Sequence, residues 1–191
     1  MTLLTIWDET DTTTPTVQTR DTDTIVEALT PLGVRFSRWE LKELSANPTQ
    51  DEVLEAYRTE IDAVNAEHGY TFVDVVFIAP SEDPSYAETA ATARQKFLSE
   101  HQHDDDEDRF FARGSGVFYL RVAGNVYAVL CEEGDVISVP ANTTHWFDMG
   151  TRPDYVSVRF FHDDDGWIGN FTGSDIATKF STYDELAAVT V

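Results

Sequence analysis

Three histidines and one glutamate carry the chemistry this chain could perform. His101 and His103 are separated by one residue, Glu107 lies four further on, and His145 follows thirty-eight positions after Glu107. On an extended strand alternate side chains share a face, so the two spaced imidazoles can present nitrogens to one point. Glu107 adds a hard oxygen. Three neutral imidazoles and a carboxylate suit a first-row transition ion such as Fe(II), Ni(II), Mn(II) or Zn(II). Six-coordinate geometry would leave neighbouring positions for water, substrate or dioxygen, and open positions imply chemistry beyond a structural role. A His-x-His pair in an acidic loop is also a common solvated feature, so its surroundings decide between the two.

Those surroundings are β-prone. Glu107 to Arg121 reads as two strands around Gly114-Ser115-Gly116, followed by Val126 to Cys131, a turn at Glu132 to Asp135, and Val136 to Val139 before Pro140. This predicts a meander of short strands, with His145 returning on a later one, as a small β-barrel needs to gather distant ligands at one interior point. Upstream, Leu3 to Trp7 reads as a strand and the Thr-rich Asp8 to Arg20 stretch as a loop. Thr24 to Glu27 has the form of a capping box opening a short helix, and Thr49 to Glu52 repeats it. Val53, Leu54, Tyr57, Ile61 and Val64 then follow helical spacing up to Gly69, predicting one helix of about four or five turns with His68 near its final carbonyls. Thr71 to Ala79 predicts a strand, and Tyr86 to Leu98 a helix that runs straight into His101.

The 191 residues include 35 Asp and Glu against 13 Lys and Arg, of which three are lysines (Lys42, Lys96, Lys179), giving a formal net charge of −22. Phosphate backbones require clustered cations, so nucleic acid is excluded as a partner. Such a surface repels itself unless salt shortens the Debye length, which favours a monomer and a salt-loving source. No repeat, signal-peptide pattern or membrane-length apolar run is present in the sequence, which points to a single cytoplasmic domain over 1–191 with no membrane partner. Within it, 1–95 supplies strands and helices, 96–180 the metal-binding core and 181–191 a tail. Cys131 is the single cysteine, so no intramolecular disulfide can form; its strand setting reads as a buried, inert thiol.

The two ligand segments resemble the cupin signature. His101-x-His103, three residues, Glu107, six residues and Gly114 match its first half, and Gly134, five residues, Pro140 and then His145 match its second. Gln95 stands where that signature has a leading glycine, Asn142 replaces another glycine and Met149 a terminal asparagine. Asn tolerates a left-handed backbone, so Asn142 is compatible with the same turn. Within the cupins the chain is most similar to the acireductone dioxygenase family of methionine salvage. The similarity rests on Lys96-Phe97-Leu98-Ser99-Glu100-His101, Glu107 to Phe110, Gly114 to Phe118, Val139-Pro140-Ala141, His145 to Gly150, Arg159-Phe160-Phe161, Gly166-Trp167 and Asn170 to Gly173.

That resemblance implies a mainly β fold, a jelly-roll barrel (double-stranded β-helix) with a few flanking helices mostly in the N-terminal half. It implies His101, His103, Glu107 and His145 as ligands of one ion per chain, Fe(II) by default or Ni(II). Arg109 would help hold an anionic substrate, with Phe97, Phe147 and Trp167 lining its pocket. The substrate would be acireductone, 1,2-dihydroxy-3-keto-5-methylthiopentene, cleaved by dioxygen. Iron leads to 4-methylthio-2-oxobutanoate and formate, nickel to methylthiopropionate, formate and carbon monoxide. Two other readings share the ligand set: a different cupin dioxygenase or isomerase, and a non-catalytic cupin that binds metal or a small molecule. The first need not keep Arg109, Trp146-Phe147-Asp148-Met149 or Gly166-Trp167, and the second predicts no oxygen consumption when acireductone is supplied to the iron-loaded protein.

Overall fold

Phe110 and Phe111 are adjacent on one strand, yet neither has any exposed surface. Neighbouring strand residues point to opposite faces, so this strand must be covered on both. Val117 to Leu120 and the pair Trp146 and Phe147 make the same demand. The computed structural model, which describes residues 1–163 and 168–190, meets it with two stacked sheets and helical layers outside them.

In chain order the elements are β1 (Leu3–Asp8), β2 (Val17–Thr19), α1 (Thr22–Leu29), β3 (Arg35–Arg38), α2 (Gln50–Ala56), α3 (Arg58–His68), β4 (Phe72–Ile78) and α4 (Tyr86–Leu98). There follow β5 (His101–Gln102), β6 (Glu107–Gly114), β7 (Gly116–Val122), β8 (Asn125–Cys131), β9 (Asp135–Val139), β10 (His145–Asp148), β11 (Tyr155–Phe161), β12 (Asn170–Phe171) and α5 (Tyr183–Ala187). One sheet has seven strands in the order β12-β5-β10-β7-β8-β1-β2; the other has five, β3-β9-β6-β11-β4. Between them Leu4, Phe118, Leu120 and Phe147 of the first meet Phe111, Ile137 and Val139 of the second. On the outer face of the larger sheet Trp7, Tyr119 and Trp146 pack with Ile176, Phe180 and Leu186. On the outer face of the smaller, Phe110, Val158 and Phe160 pack with Val53, Tyr57 and Ile61.

The result is a mixed α/β, cupin-related fold, and the mainly β jelly-roll barrel expected from the sequence does not form. β2 and β12 bound one sheet and β3 and β4 the other, each paired on one side only, so the sheets do not close into a barrel. Helices occupy edges where a barrel would need further strands: α1 packs on β3, and the Val75 N–H of β4 donates to the Gln50 side chain at the start of α2, 3.1 Å away. The strands after Glu107 do not form a simple meander either. β6, β9 and β11 lie in the small sheet, whereas β7, β8 and β10 lie in the large one.

Local signals fared unevenly. α4 and β1 lie where periodicity placed them, but the helix expected from Thr49 to Gly69 breaks at Tyr57 (φ −104°, ψ 18°). That ring is buried against Trp39 and Phe110, and its hydroxyl accepts the Lys42 N–H at 3.0 Å. Asp21, not Thr24, caps α1, accepting the Thr24 N–H at 2.8 Å. His68 meets the Arg35 guanidinium at 3.0 Å, not helix carbonyls.

Two contacts fix what matters for the site. Arg94 of α4 hydrogen-bonds both oxygens of buried Asp148 at the end of β10, at 2.7 and 2.9 Å, and Asp148 also accepts the N–H groups of Gly150 and Tyr183. This bidentate pair seats α4 so that its C-terminal end delivers His101 beside β10. Gly114, at the passage from β6 in one sheet to β7 in the other, has φ +72°, and a Cβ there would lie 2.0 Å from the Asp154 carbonyl oxygen. Gly114→Ala is therefore expected to destabilise the fold by about 3 kcal/mol or more, read from the midpoint of urea unfolding; a loss within about 0.5 kcal/mol would remove this crossing as a constraint.

Candidate metal centre

The four residues singled out by type and spacing meet between the sheets. β5 and β10 pair so that His101 lies opposite His145 in the large sheet, while Glu107 opens β6 of the small sheet opposite Val139. His103 stands just past the end of β5. One donor atom from each of the four lies within 4.8 Å of the others. All are buried, with exposures between 2% and 6%. Glu107 Oε2 is 2.9 Å from His145 Nε2 and 3.1 Å from His103 Nε2.

The outer nitrogens decide what these atoms can do. Nδ1 of His101 lies 2.6 Å from the Ser99 carbonyl, that of His145 2.7 Å from the Thr143 carbonyl, and that of His103 3.0 Å from the Ile168 carbonyl. A carbonyl only accepts, so each Nδ1 carries a proton, and in the neutral ring Nε2 then presents its lone pair inward. With the rings neutral, four acceptors face one point, an arrangement that a cation relieves. Carbonyl acceptors behind the outer nitrogens also fix ring orientation and strengthen the imidazoles as ligands. Donors about 2.1 Å from an ion stand about 3 Å apart when adjacent, which the Glu107 contacts already approach. The residues present fit a transition ion.

Electrostatics favour a neutral His101 and an ionised Glu107. Burial, reinforced by His145, pushes His101 down to about 4, leaving it neutral at pH 7. Burial also opposes charge on His103, but the Glu107 carboxylate outweighs it and the value is raised. For Glu107 burial works against ionisation, yet Arg109 and the imidazoles hold it well below the ordinary carboxylate range.

Arg109 shares the inner face with Glu107, as spacing on one strand implied, and its Nε is 3.0 Å from Glu107 Oε1. Its guanidinium lies 4.7 Å from the Phe147 ring centroid and 5.9 Å from that of Phe97. Together these line a cavity of about 270 Å³ that opens onto His101, His103 and Glu107. Trp167 lies outside the described residues. Lys96, Arg159, Ile168 and Phe171 also line the cavity without having been singled out; the only signal for Lys96, Arg159 and Phe171 was membership of short matching motifs, and Ile168 carried none. Gly169 sits where a Cβ would meet the Phe171 ring at 3.4 Å and His101 at 3.8 Å, so its lack of a side chain keeps the wall thin.

Nearby groups have structural duties. Asp106 accepts the Ala141 N–H at 2.8 Å and Asp105 accepts the His162 N–H at 3.1 Å, so this acidic run ties loops together and is not merely solvated. Asn142 adopts φ 62°, and its N–H donates to the His103 carbonyl at 2.7 Å. Cys131 is fully buried, and burial pushes its thiol well up.

A model of the ARD/ARD' family matches residues 4–169, well beyond the motifs around the site. The chain is 60% identical over 188 residues to an acireductone dioxygenase of Saccharopolyspora erythraea, covering 98% of this chain and 99% of that protein. It is 52% identical to one of Frankia alni, covering 98% and 91%. Among solved structures it is similar to an acireductone dioxygenase from Bacillus anthracis with a cadmium ion in its active centre, with a TM-score of 0.74 and 27% identity over 90% of this chain and 98% of that one. With a family model spanning most of its length and relatives matched almost end to end, the chain belongs to the ARD/ARD' family of acireductone dioxygenases.

Proposed function

We propose that this protein is an acireductone dioxygenase that cleaves 1,2-dihydroxy-3-keto-5-methylthiopentene with dioxygen, with Fe(II) as its working ion and the methionine-salvage ketoacid plus formate as products. The observation that carries this is a buried carboxylate and three imidazoles whose outer nitrogens are all committed to backbone carbonyls, beside a cationic and aromatic cavity. The cadmium reported in the active centre of the Bacillus anthracis relative supports a cation at the equivalent place. In this reading His101, His103, Glu107 and His145 would hold the ion, which would supply Lewis acidity and a template for an enediolate substrate. Arg109, ion-paired with Glu107 and surrounded by aromatic rings, would offer a positive charge to the substrate's oxyanions. Phe97 and Phe147, with Trp167 by family likeness, exclude water and seat the apolar methylthio tail.

The direct test joins elemental analysis of protein purified from its own host to product analysis with acireductone and oxygen. Iron with ketoacid and formate is expected; nickel with carbon monoxide would reassign the working ion, and no oxygen uptake with either ion would end the reading.

Metal retention after dialysis checks the ligand set. His101→Ala or His145→Ala should lose the ion, whereas Arg109→Ala should keep it and show a KM raised at least roughly tenfold, as loss of a charge-assisted contact implies. In the unsubstituted protein retention should weaken as pH falls, because protons compete for the His103 Nε2, whose proton affinity the Glu107 carboxylate raises, while Glu107 remains ionised. Undiminished retention at pH 5 would take His103 out of the set.

Residues 1–191 are read as one monomeric cytoplasmic domain, and the net charge of −22 supports the monomer by opposing self-association, a repulsion that added salt screens. No described helix is long and apolar enough to cross a membrane. Light scattering is expected to give one chain's mass, 21.5 kDa, and thermal unfolding a midpoint that rises from millimolar to molar salt. Equal stability at both would discard the salt requirement.

A further inference from the structure

The metal cavity reverses the charge balance of the chain. Across the sequence 35 acidic residues face 13 basic ones, but the cavity lining holds Lys96, Arg109 and Arg159 against the single acid Glu107. Two of these cations are already matched: Arg109 by Glu107, and Arg159 by Asp74, whose Oδ1 accepts its Nε–H at 2.8 Å. Lys96 is different. Lys42 pairs with Glu60 at 2.6 Å and Lys179 with Asp175 at 2.7 Å, whereas Lys96 has no carboxylate partner among the described residues. Its helical neighbours Thr92, Ala93 and Ser99 carry none to offer. Glu100, four residues on, is turned away, accepting from Thr172 at 2.5 Å and facing Arg121 at 3.4 Å. The exposed Lys96 ammonium instead leans over the Phe97 ring, 5.8 Å from its centroid, on the cavity wall.

We propose that Lys96 recruits the anionic substrate, holding an uncompensated positive charge at the cavity mouth so that a protein of strongly negative surface admits an anion; this rests on the acireductone reading above. A chain of this charge repels anions at long range, and a local cation reverses the field only within about a Debye length, roughly 10 Å at 0.1 M salt and 3 Å at 1 M. Recruitment at the rim acts on association, so it enters KM and its salt dependence and leaves kcat alone.

The experiment compares Lys96→Gln, the paired-lysine control Lys179→Gln and the unsubstituted metal-loaded protein. It measures initial rates and anaerobic equilibrium binding of acireductone at 0.1 M and 1 M salt. For Lys96→Gln a roughly three- to tenfold rise in KM and in the binding constant for dissociation is expected at 0.1 M, shrinking below about twofold at 1 M, with kcat and metal content unchanged. Lys179→Gln should match the unsubstituted protein. Unchanged KM, a rise that persists in 1 M salt, a fall in kcat, or an equal effect in Lys179→Gln would each overturn the proposal. An unsubstituted protein that neither binds nor turns over acireductone overturns the substrate reading itself, whereas normal wild-type turnover with an indifferent Lys96→Gln overturns only the role of Lys96.

Discussion

Three protons decide the character of this molecule. They sit on the outer nitrogens of His101, His103 and His145, each held by a main-chain carbonyl, and their placement turns three lone pairs toward one buried carboxylate. Acceptors crowded in this way are costly in a dry interior unless a positive charge joins them. Much of the surrounding architecture can be read as keeping those carbonyls still. Ser99 follows α4, which is fastened to β10 through Arg94 and Asp148; Thr143 lies in the turn that Asn142 enters with a left-handed backbone and ties to His103. Ligand side chains at strand ends are thereby backed by carbonyls that neighbouring elements hold in place.

The centre also joins the two sheets. His101 and His145 belong to the larger and Glu107 to the smaller, so a bound ion would fasten one layer to the other at the cavity. Around it the interior is aromatic and cationic while the exterior is strongly acidic. The contrast follows from how basic residues are used: Arg35, Arg38, Arg94, Arg121 and Arg159 are engaged by carboxylates. With few basic residues left over, an unengaged one carries more electrostatic weight here than it would on an ordinary surface.

What the sequence disclosed follows from range. α4, β1 and β4 depend on local periodicity, and the first two lie where it put them; β4 lies within the predicted run. The four candidate ligands were legible because their types and spacing are unusual, and the structure brings them together. The break at Tyr57 was not, since it arises from a ring wedged against Trp39 and Phe110, residues far away in sequence. Nor could strand runs alone distinguish a closed barrel from two open sheets, because that depends on what covers each edge, here α1 and α2. The carbonyls behind the imidazoles carry no side-chain identity at all, so no pattern of residue types could reveal them.

β10 shows how little slack the design leaves. Its four residues alternate between two environments: His145 and Phe147 face the cavity side, Trp146 and Asp148 the opposite layer where Tyr119 stacks on the indole at 5.0 Å. Sliding this strand by a single position would send the indole among the ligands and strand an imidazole under the C-terminal segment. Insertions or deletions between Gly134 and His145 should therefore be purged even where individual substitutions are tolerated, so length, more than composition, is the trait that this stretch must inherit intact.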